Sequence, residues 1–282
     1  MAASFCHIAP TEYLHLTKDD PTYLILAHLV ESDEKYTQFY RNTNGGIKIL
    51  DNSAFEMYKE GRPMYPSAQL IEMGKKVGAN YIVMSDYPDQ PAEVTMRAAV
   101  ELYKDFKDNG FGTFFCPQSK IGDYEDLMKG FEWAADHPEI VDYIGVSILA
   151  VPNAYGVERD NKLQRFVSRT VFMYALKHRG ILDKIKANGQ KIHMLGMVDG
   201  PNEIILMNPF KDYINTWDSS AAIWAGLNGV AFDQTPTGLV NGKFEKEVDF
   251  KFKTDDPSNV LYANLNKTYI DILVRKFLNN EV

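Results

Sequence analysis

The chain has 282 residues, 45% of them hydrophobic and 12% aromatic, enough apolar surface for a large core and too much for a disordered segment. A formal net charge of −8 argues against an indiscriminate polyanion binder, because phosphate contacts need local Lys and Arg. The longest apolar run, YLILAHLV, is too short to cross a bilayer, the N-terminus lacks the basic and apolar regions of a signal peptide, and Cys6 and Cys116 have no metal-binding spacing. The expectation is therefore a soluble, cytoplasmic protein in a reducing compartment, without membrane contact.

Short strand-like runs alternate with longer amphipathic stretches from end to end, the pattern of βα units around a parallel sheet. In chain order the strand candidates are YLILAH near 23, IKILD ending at Asp51, YIVMSD at Asp86, GTFFCPQ at Gln118, YIGVSI near 143, KIHMLG at Gly196, YINTWD at Asp218 and GVAFD at Asp233. Eight such units close an α/β (β/α)8 TIM-like barrel, and no linker divides residues 1–282 into more than a single domain.

Between the strands, SAQLIEMGKKVGA places Leu70, Met73 and Val77 on one helical face, and the helix after Pro91 places Val94, Ala98, Leu102 and Phe106 likewise. LVNGKFEKEVDFKFK predicts a C-terminal β-hairpin insertion turning at Asn241-Gly242, with Phe244, Val248, Phe250 and Phe252 alternating with charges. A closing helix over 258–278 is expected to turn Leu261, Leu265, Ile272 and Leu273 inward.

In a parallel barrel the C-terminal strand ends share one rim, where active sites lie. That rim reads Asp51, Asp86, Gln118, Gly145, Gly196, Asp218 and Asp233. Capping a helix explains one aspartate such as Asp218, which precedes Ser219 and Ser220, but not several carboxylates on one small ring. His193, in mid-strand, reads as a hydrogen-bonded interior histidine; Asp89 and Asp199 read as turn residues. Residues 158–191 hold nine Lys and Arg against three acidic residues, so a phosphate-binding face is expected there.

In order along the chain, ILDNSAFE, VMSDYPDQPAE, FCPQSK, YIGVSI, HMLGM and TWDSS resemble motifs of the tRNA-guanine transglycosylase superfamily. The resemblance implies that Asp218 is a nucleophile forming a covalent aspartyl-glycosyl intermediate and that Asp51 is the general acid/base. The two carboxyls would then face one pocket, roughly 5 to 7 Å apart. It further implies a base-binding set: Asp86 accepting from the guanine edge, Gln118 and the Gly145 amide donating to it, and Phe55, Leu195, Gly196 and Met197 enclosing the ring.

The departures from the tRNA enzymes also inform. No cysteine follows Asp233, so neither a zinc subdomain nor any other metal or cofactor is expected, and no basic residue lies between Asp218 and Lys243 to grip an anticodon loop. The pattern is more similar to the DpdA-type DNA 7-deazaguanine transglycosylases of phages and bacteria. That resemblance implies a pentosyltransferase exchanging guanine in DNA for a free 7-deazaguanine such as preQ0, located in the host cytoplasm if phage-encoded. The DNA backbone would run along Arg159, Lys162, Arg165 and Arg169, and the target base would be flipped out. The same chemistry on tRNA, or a silent nucleic-acid-binding paralogue, remains the alternative, and a homodimer is left open.

Overall fold

A computed structural model describes residues 2–197, 200–232 and 247–281. Its eight strands are β1 (Ser4–His7), β2 (Thr22–Leu26), β3 (Ile47–Asp51), β4 (Tyr81–Val83), β5 (Gly112–Phe115), β6 (Tyr143–Ser147), β7 (Lys191–Leu195) and β8 (Ile214–Ser219). All ladders are parallel, and the sheet order β1-β8-β7-β6-β5-β4-β3-β2 rolls the sheet into a nearly closed (β/α)8 TIM-like barrel. At the seam side chains join β1 to β2: Ser4 Oγ lies 2.6 Å from Thr22 Oγ1, and the Leu24 N–H donates to Cys6 Sγ at 2.9 Å.

The helices follow in order. After β2 come α1 (Ala27–Ser32) and α2 (Glu34–Asn42); after β3, α3 (Ala54–Glu60) and α4 (Ser67–Val77); after β4, α5 (Ala92–Asp108). Then α6 (Tyr124–Asp136) follows β5, while α7 (Ala150–Ala154), α8 (Lys162–His178) and α9 (Ile181–Ala187) follow β6. The last are α10 (Glu203–Leu206) after β7, and α11 (Ala221–Leu227) and α12 (Pro257–Leu273) after β8. Helix α4 buries Leu70, Met73 and Val77 as its spacing predicts; on α5, Ala98 and Phe106 are buried while Val94 and Leu102 are half-buried.

Three expectations are corrected. The eighth strand is SFCH at the N-terminus, because Ser4–His7 pairs register for register with Thr216–Ser219; Val230, Ala231 and Phe232 form no strand, and Asp233 lies outside the described residues. Of the expected hairpin, Asn241, Gly242 and Phe244 lie outside the described residues, and Val248–Phe252 is irregular. Those residues alternate between half-buried and exposed without a ladder partner, because Phe250 and Phe252 are held by rings instead, against His28 and Trp224. Helix α12 turns Ala263, Asn266, Ile270 and Leu273 inward, while Leu261, Leu265 and Ile272 are exposed.

The face of α12 is set by its neighbour. Gly226 on α11 sits against the Ala263 backbone so closely that a β-carbon would overlap Ala263 N and Cα. Small residues at 226 and 263 therefore let two backbones meet, and Asn266 seals the contact by donating to the carbonyls of Ala222 (3.1 Å) and Val230 (2.9 Å). The backbone cannot yield as a side chain would. Gly226→Ala is thus expected to destabilise by at least the ~1–3 kcal/mol of ordinary overpacking, read as a lower urea midpoint at unchanged slope.

Candidate functional site: an acidic rim

Because the strands are parallel, their C-terminal ends share one rim. Asp51 ends β3, Asp86 and Gln118 lie three residues beyond β4 and β5, Leu195 ends β7 with Gly196 directly after it, and Asp218 is the fifth residue of β8. Asp86, Gln118 and Asp218 are buried, and Asp51 is half-buried.

Asp218 is not a helix cap. Helix α11 begins after Ser220, and the Ala221 N–H goes to Ser219 Oγ at 3.0 Å. Asp218 Oδ1 instead pairs with His193 Nε2 at 2.9 Å and accepts from the Gly196 N–H at 3.0 Å. A register shift between β7 and β8 shapes this pairing: Ile192 opposes Ile214, but His193 opposes Thr216, leaving Asn215 as the extra residue. Such a bulge re-aims the side chains beyond it, and Thr216 and Asp218 both reach the His193 ring.

Asp86 is gripped from both sides. Asn52 Nδ2 donates to Oδ1 at 2.8 Å and Gln118 Nε2 to Oδ2 at 2.6 Å, linking the ends of β3, β4 and β5. Desolvation nonetheless raises the Asp86 pKa, against the lowering effect of those amides and of Cys116. Gln118 thus spends its amide nitrogen on Asp86 and, more weakly, on Cys116 Sγ at 3.5 Å, rather than on a base as expected.

Asp51 accepts from the Ser53 N–H at 2.7 Å, within a turn where Ser53 takes a left-handed φ of 56°. Its carboxyl is pushed well above the usual carboxylate range, first by desolvation and then by the charge of Glu56, with the Ser53 N–H opposing and Asp86 and Asp218 adding smaller increments. Asp51 therefore lies within electrostatic reach of both Asp86 and Asp218. Beside them His28 meets Ser53 Oγ with Nδ1 at 2.9 Å, and burial lowers its pKa.

The expected base-binding residues divide. Phe55 is 44% exposed on α3, four residues past Asp51, so it is not a core residue. Leu195 is half-buried and Met197 buried. Gly145 lies in the middle of β6, below the rim, where a β-carbon would stand 2.6 Å from Leu195 Cδ1 and 2.7 Å from Phe114 Cε1; its bareness lets β5 and β7 side chains meet over β6. Gly196 has φ +68°, and its β-carbon would strike Ile148, so only glycine suits that turn. Asp89 has φ +60° in a turn, as expected; Asp199 is outside the described residues.

The basic segment is the main correction. Arg169 is fully buried: it forms a two-pronged pair with Glu203 (both 2.7 Å), donates to the carbonyls of Val146, Leu195 and Gly196 (2.8–2.9 Å), and lies over the Trp217 ring. Such a side chain holds the ends of β6 and β7 and has no donor left for a nucleic-acid backbone. Arg165 is buried as well, Lys162 is half-buried, and Arg159 is exposed. Further along, Arg179 pairs with Glu125 and Lys184 with Asp136, while Lys177 and Lys186 cover the Tyr213 ring. A helix after a barrel strand runs back toward the N-terminal end, so these residues lie away from the rim.

Sequence reasoning gave no role to Asn52 or His28 and treated His193 only as an interior histidine. Asn52 follows Asp51 directly, but its link to Asp86 spans 34 residues, and nothing local signals it. The class defined so far is a (β/α)8 barrel with buried, interacting carboxylates at the C-terminal rim. Neither a protein-family model nor a curated protein matches this chain. Among the described residues, no three His, Cys, Asp or Glu side chains converge as a metal ligand set, and no helix is long and apolar enough to cross a membrane.

Two outcomes test this geometry. Arg169→Met strands the Glu203 carboxylate in the interior and is expected to lose about 3–5 kcal/mol of stability, most of it regained in Arg169→Met/Glu203→Leu; urea unfolding of the three proteins checks it. A carboxyl whose folded pKa is raised contributes stability that is fully present below its unfolded value, near pH 4, and lost as pH rises through the folded value. Asp51→Asn should therefore be more stable than the parent at pH 7 to 8, with the gap closing on acidification, as melting temperatures across that range will show.

Proposed function

We propose that the protein is a base-exchange transglycosylase that replaces guanine in DNA with a free 7-deazaguanine through a covalent intermediate on Asp218. The observation that carries the reading is the state of that carboxylate: Oδ1 is held by His193 and the Gly196 N–H, while Oδ2 accepts no hydrogen bond among the described residues. A nucleophile needs one oxygen fixed and the other open.

In the proposed reaction Asp218 Oδ2 attacks the anomeric carbon of a flipped-out nucleotide. The bond from that carbon to guanine N9 breaks, its electron pair leaving with the base, and Asp51 delivers a proton to the departing purine. The raised pKa of Asp51 suits a group that must be protonated at this moment. A 7-deazaguanine then enters, Asp51 takes its N9 proton, and N9 displaces the Asp218 ester with overall retention.

Base selection falls to Asp86, whose two oxygens keep lone pairs for guanine's N1–H and N2 amine while Asn52 and Gln118 hold it still. Phe55, exposed beside Asp51, supplies a face for the ring, with Leu195 and Met197 opposite. Arg159, exposed in the turn before α8, is the candidate for contact with the DNA backbone.

Incubation with labelled guanine or preQ0 and guanine-containing DNA should incorporate label, with tRNA as the parallel arm. Asp218→Ala should abolish both incorporation and a base-free DNA adduct, and Asp51→Asn should lower kcat by about 10²–10⁴-fold. Arg159→Ala should flatten the dependence of log affinity on log salt by about one contact, near 0.9. Exchange persisting in Asp218→Ala would remove the assignment.

A further inference from the structure

Behind Asp218 lies a second layer of polar groups that the proposed reaction does not itself require. His193 is fully buried, its ring edge-on to Phe114, with Nε2 2.9 Å from Asp218 Oδ1 and Nδ1 2.6 Å from Thr216 Oγ1. The imidazole therefore has both nitrogens engaged inside the barrel. Thr216 and Asp218 are alternate residues of one strand, and the single ring bridges both.

The two tautomers have opposite consequences. With the proton on Nε2, His193 donates to Asp218 Oδ1, and Nδ1 accepts from the Thr216 hydroxyl. With the proton on Nδ1, Nε2 aims a lone pair at Oδ1, so Asp218 must carry a proton to make the contact. A protonated carboxyl cannot attack the sugar. The Thr216 hydroxyl can donate to Nδ1 or accept from it, so it accommodates the Nε2–H form, and an ionised Asp218, which only accepts, selects it.

We propose that His193 is a positioning residue: seated against Thr216 and donating from Nε2, it anchors Asp218 Oδ1 so that Oδ2 faces the sugar. This rests on Asp218 being the nucleophile of a glycosyl transfer. The Gly196 N–H supplies the second anchor, so Oδ1 accepts from two directions, and rotation of the carboxyl would break both bonds. When the glycosyl ester forms on Oδ2, Oδ1 becomes its carbonyl oxygen and still accepts from the same two donors. Nothing has to move between the free and the covalent state.

A glutamine places its amide nitrogen close to the position of a histidine Nε2, whereas leucine fills the space without a donor. His193→Leu is expected to lower kcat about 10- to 100-fold, the usual loss when the partner that orients a reactive group is removed, with KM for the incoming base unchanged. His193→Gln should recover most of that loss, and Thr216→Val should reduce kcat while Thr216→Ser does not. Melting curves for each variant separate folding from chemistry.

Full kcat in a folded His193→Leu, beside an inactive Asp218→Ala, overturns the positioning role and leaves the transglycosylase reading intact. Exchange surviving in Asp218→Ala sinks that reading instead. A measurement free of activity decides the tautomer: nitrogen-15 spectra of histidine-labelled protein should show His193 protonated at Nε2. A ring protonated at Nδ1 alone would refute the proposal even if the enzyme turns over.

Discussion

Burying a carboxylate with one oxygen held from two directions is the constraint on which the rim depends. A buried carboxyl left without hydrogen-bond partners is strongly unfavourable, so Asp218 depends on the groups that hold its Oδ1. The Gly196 N–H is one, and it points correctly only while the β7 end keeps its left-handed turn. Arg169 in turn pins that turn through the carbonyls of Leu195 and Gly196, and Glu203 fixes Arg169. A line of support thus runs from α10 through α8 to the end of β7 and onto β8.

The other carboxylates are managed differently. Asp86 is tied by two amides from neighbouring strand ends, which fix the direction of its carboxyl. Asp51 resists ionisation because of desolvation first and then the charge of Glu56, with Asp86 and Asp218 adding less, and the Ser53 N–H only partly offsets them. Burial thus raises the pKa of both carboxyls, but Asp86 is clamped from two sides by amides while Asp51 has a single backbone donor.

Charge along the chain proved a weaker guide than position on the barrel. The basic segment 158–191 spans a turn, two helices and the start of a strand, and only its first residues lie near the rim. Two of its arginines are interior, Arg179 and Lys184 neutralise acidic partners on α6, and Lys177 covers an aromatic ring. Electrostatic steering toward a polyanion would have to act through few residues, which fits a chain of net charge −8.

The alternation of apolar runs with amphipathic stretches was enough, read by itself, to imply a parallel barrel and to place Asp51, Asp86, Gln118 and Asp218 at strand ends, because strand and helix periods are local properties of the chain. Closure was not local. The four-residue run SFCH is too short to announce a strand, and it becomes one because β8 offers it a parallel edge. Likewise, leucines at 261 and 265 look inward by spacing, yet Gly226 and Ala263 decide which face of α12 meets the barrel, by how near two backbones can come. The pairing of His193 with Asp218, the grip of Asn52 on Asp86 and the burial of Arg169 each join residues more than 20 positions apart. Composition and periodicity carry no record of such contacts; only the fold, by fixing register and closure, brings them within hydrogen-bonding distance.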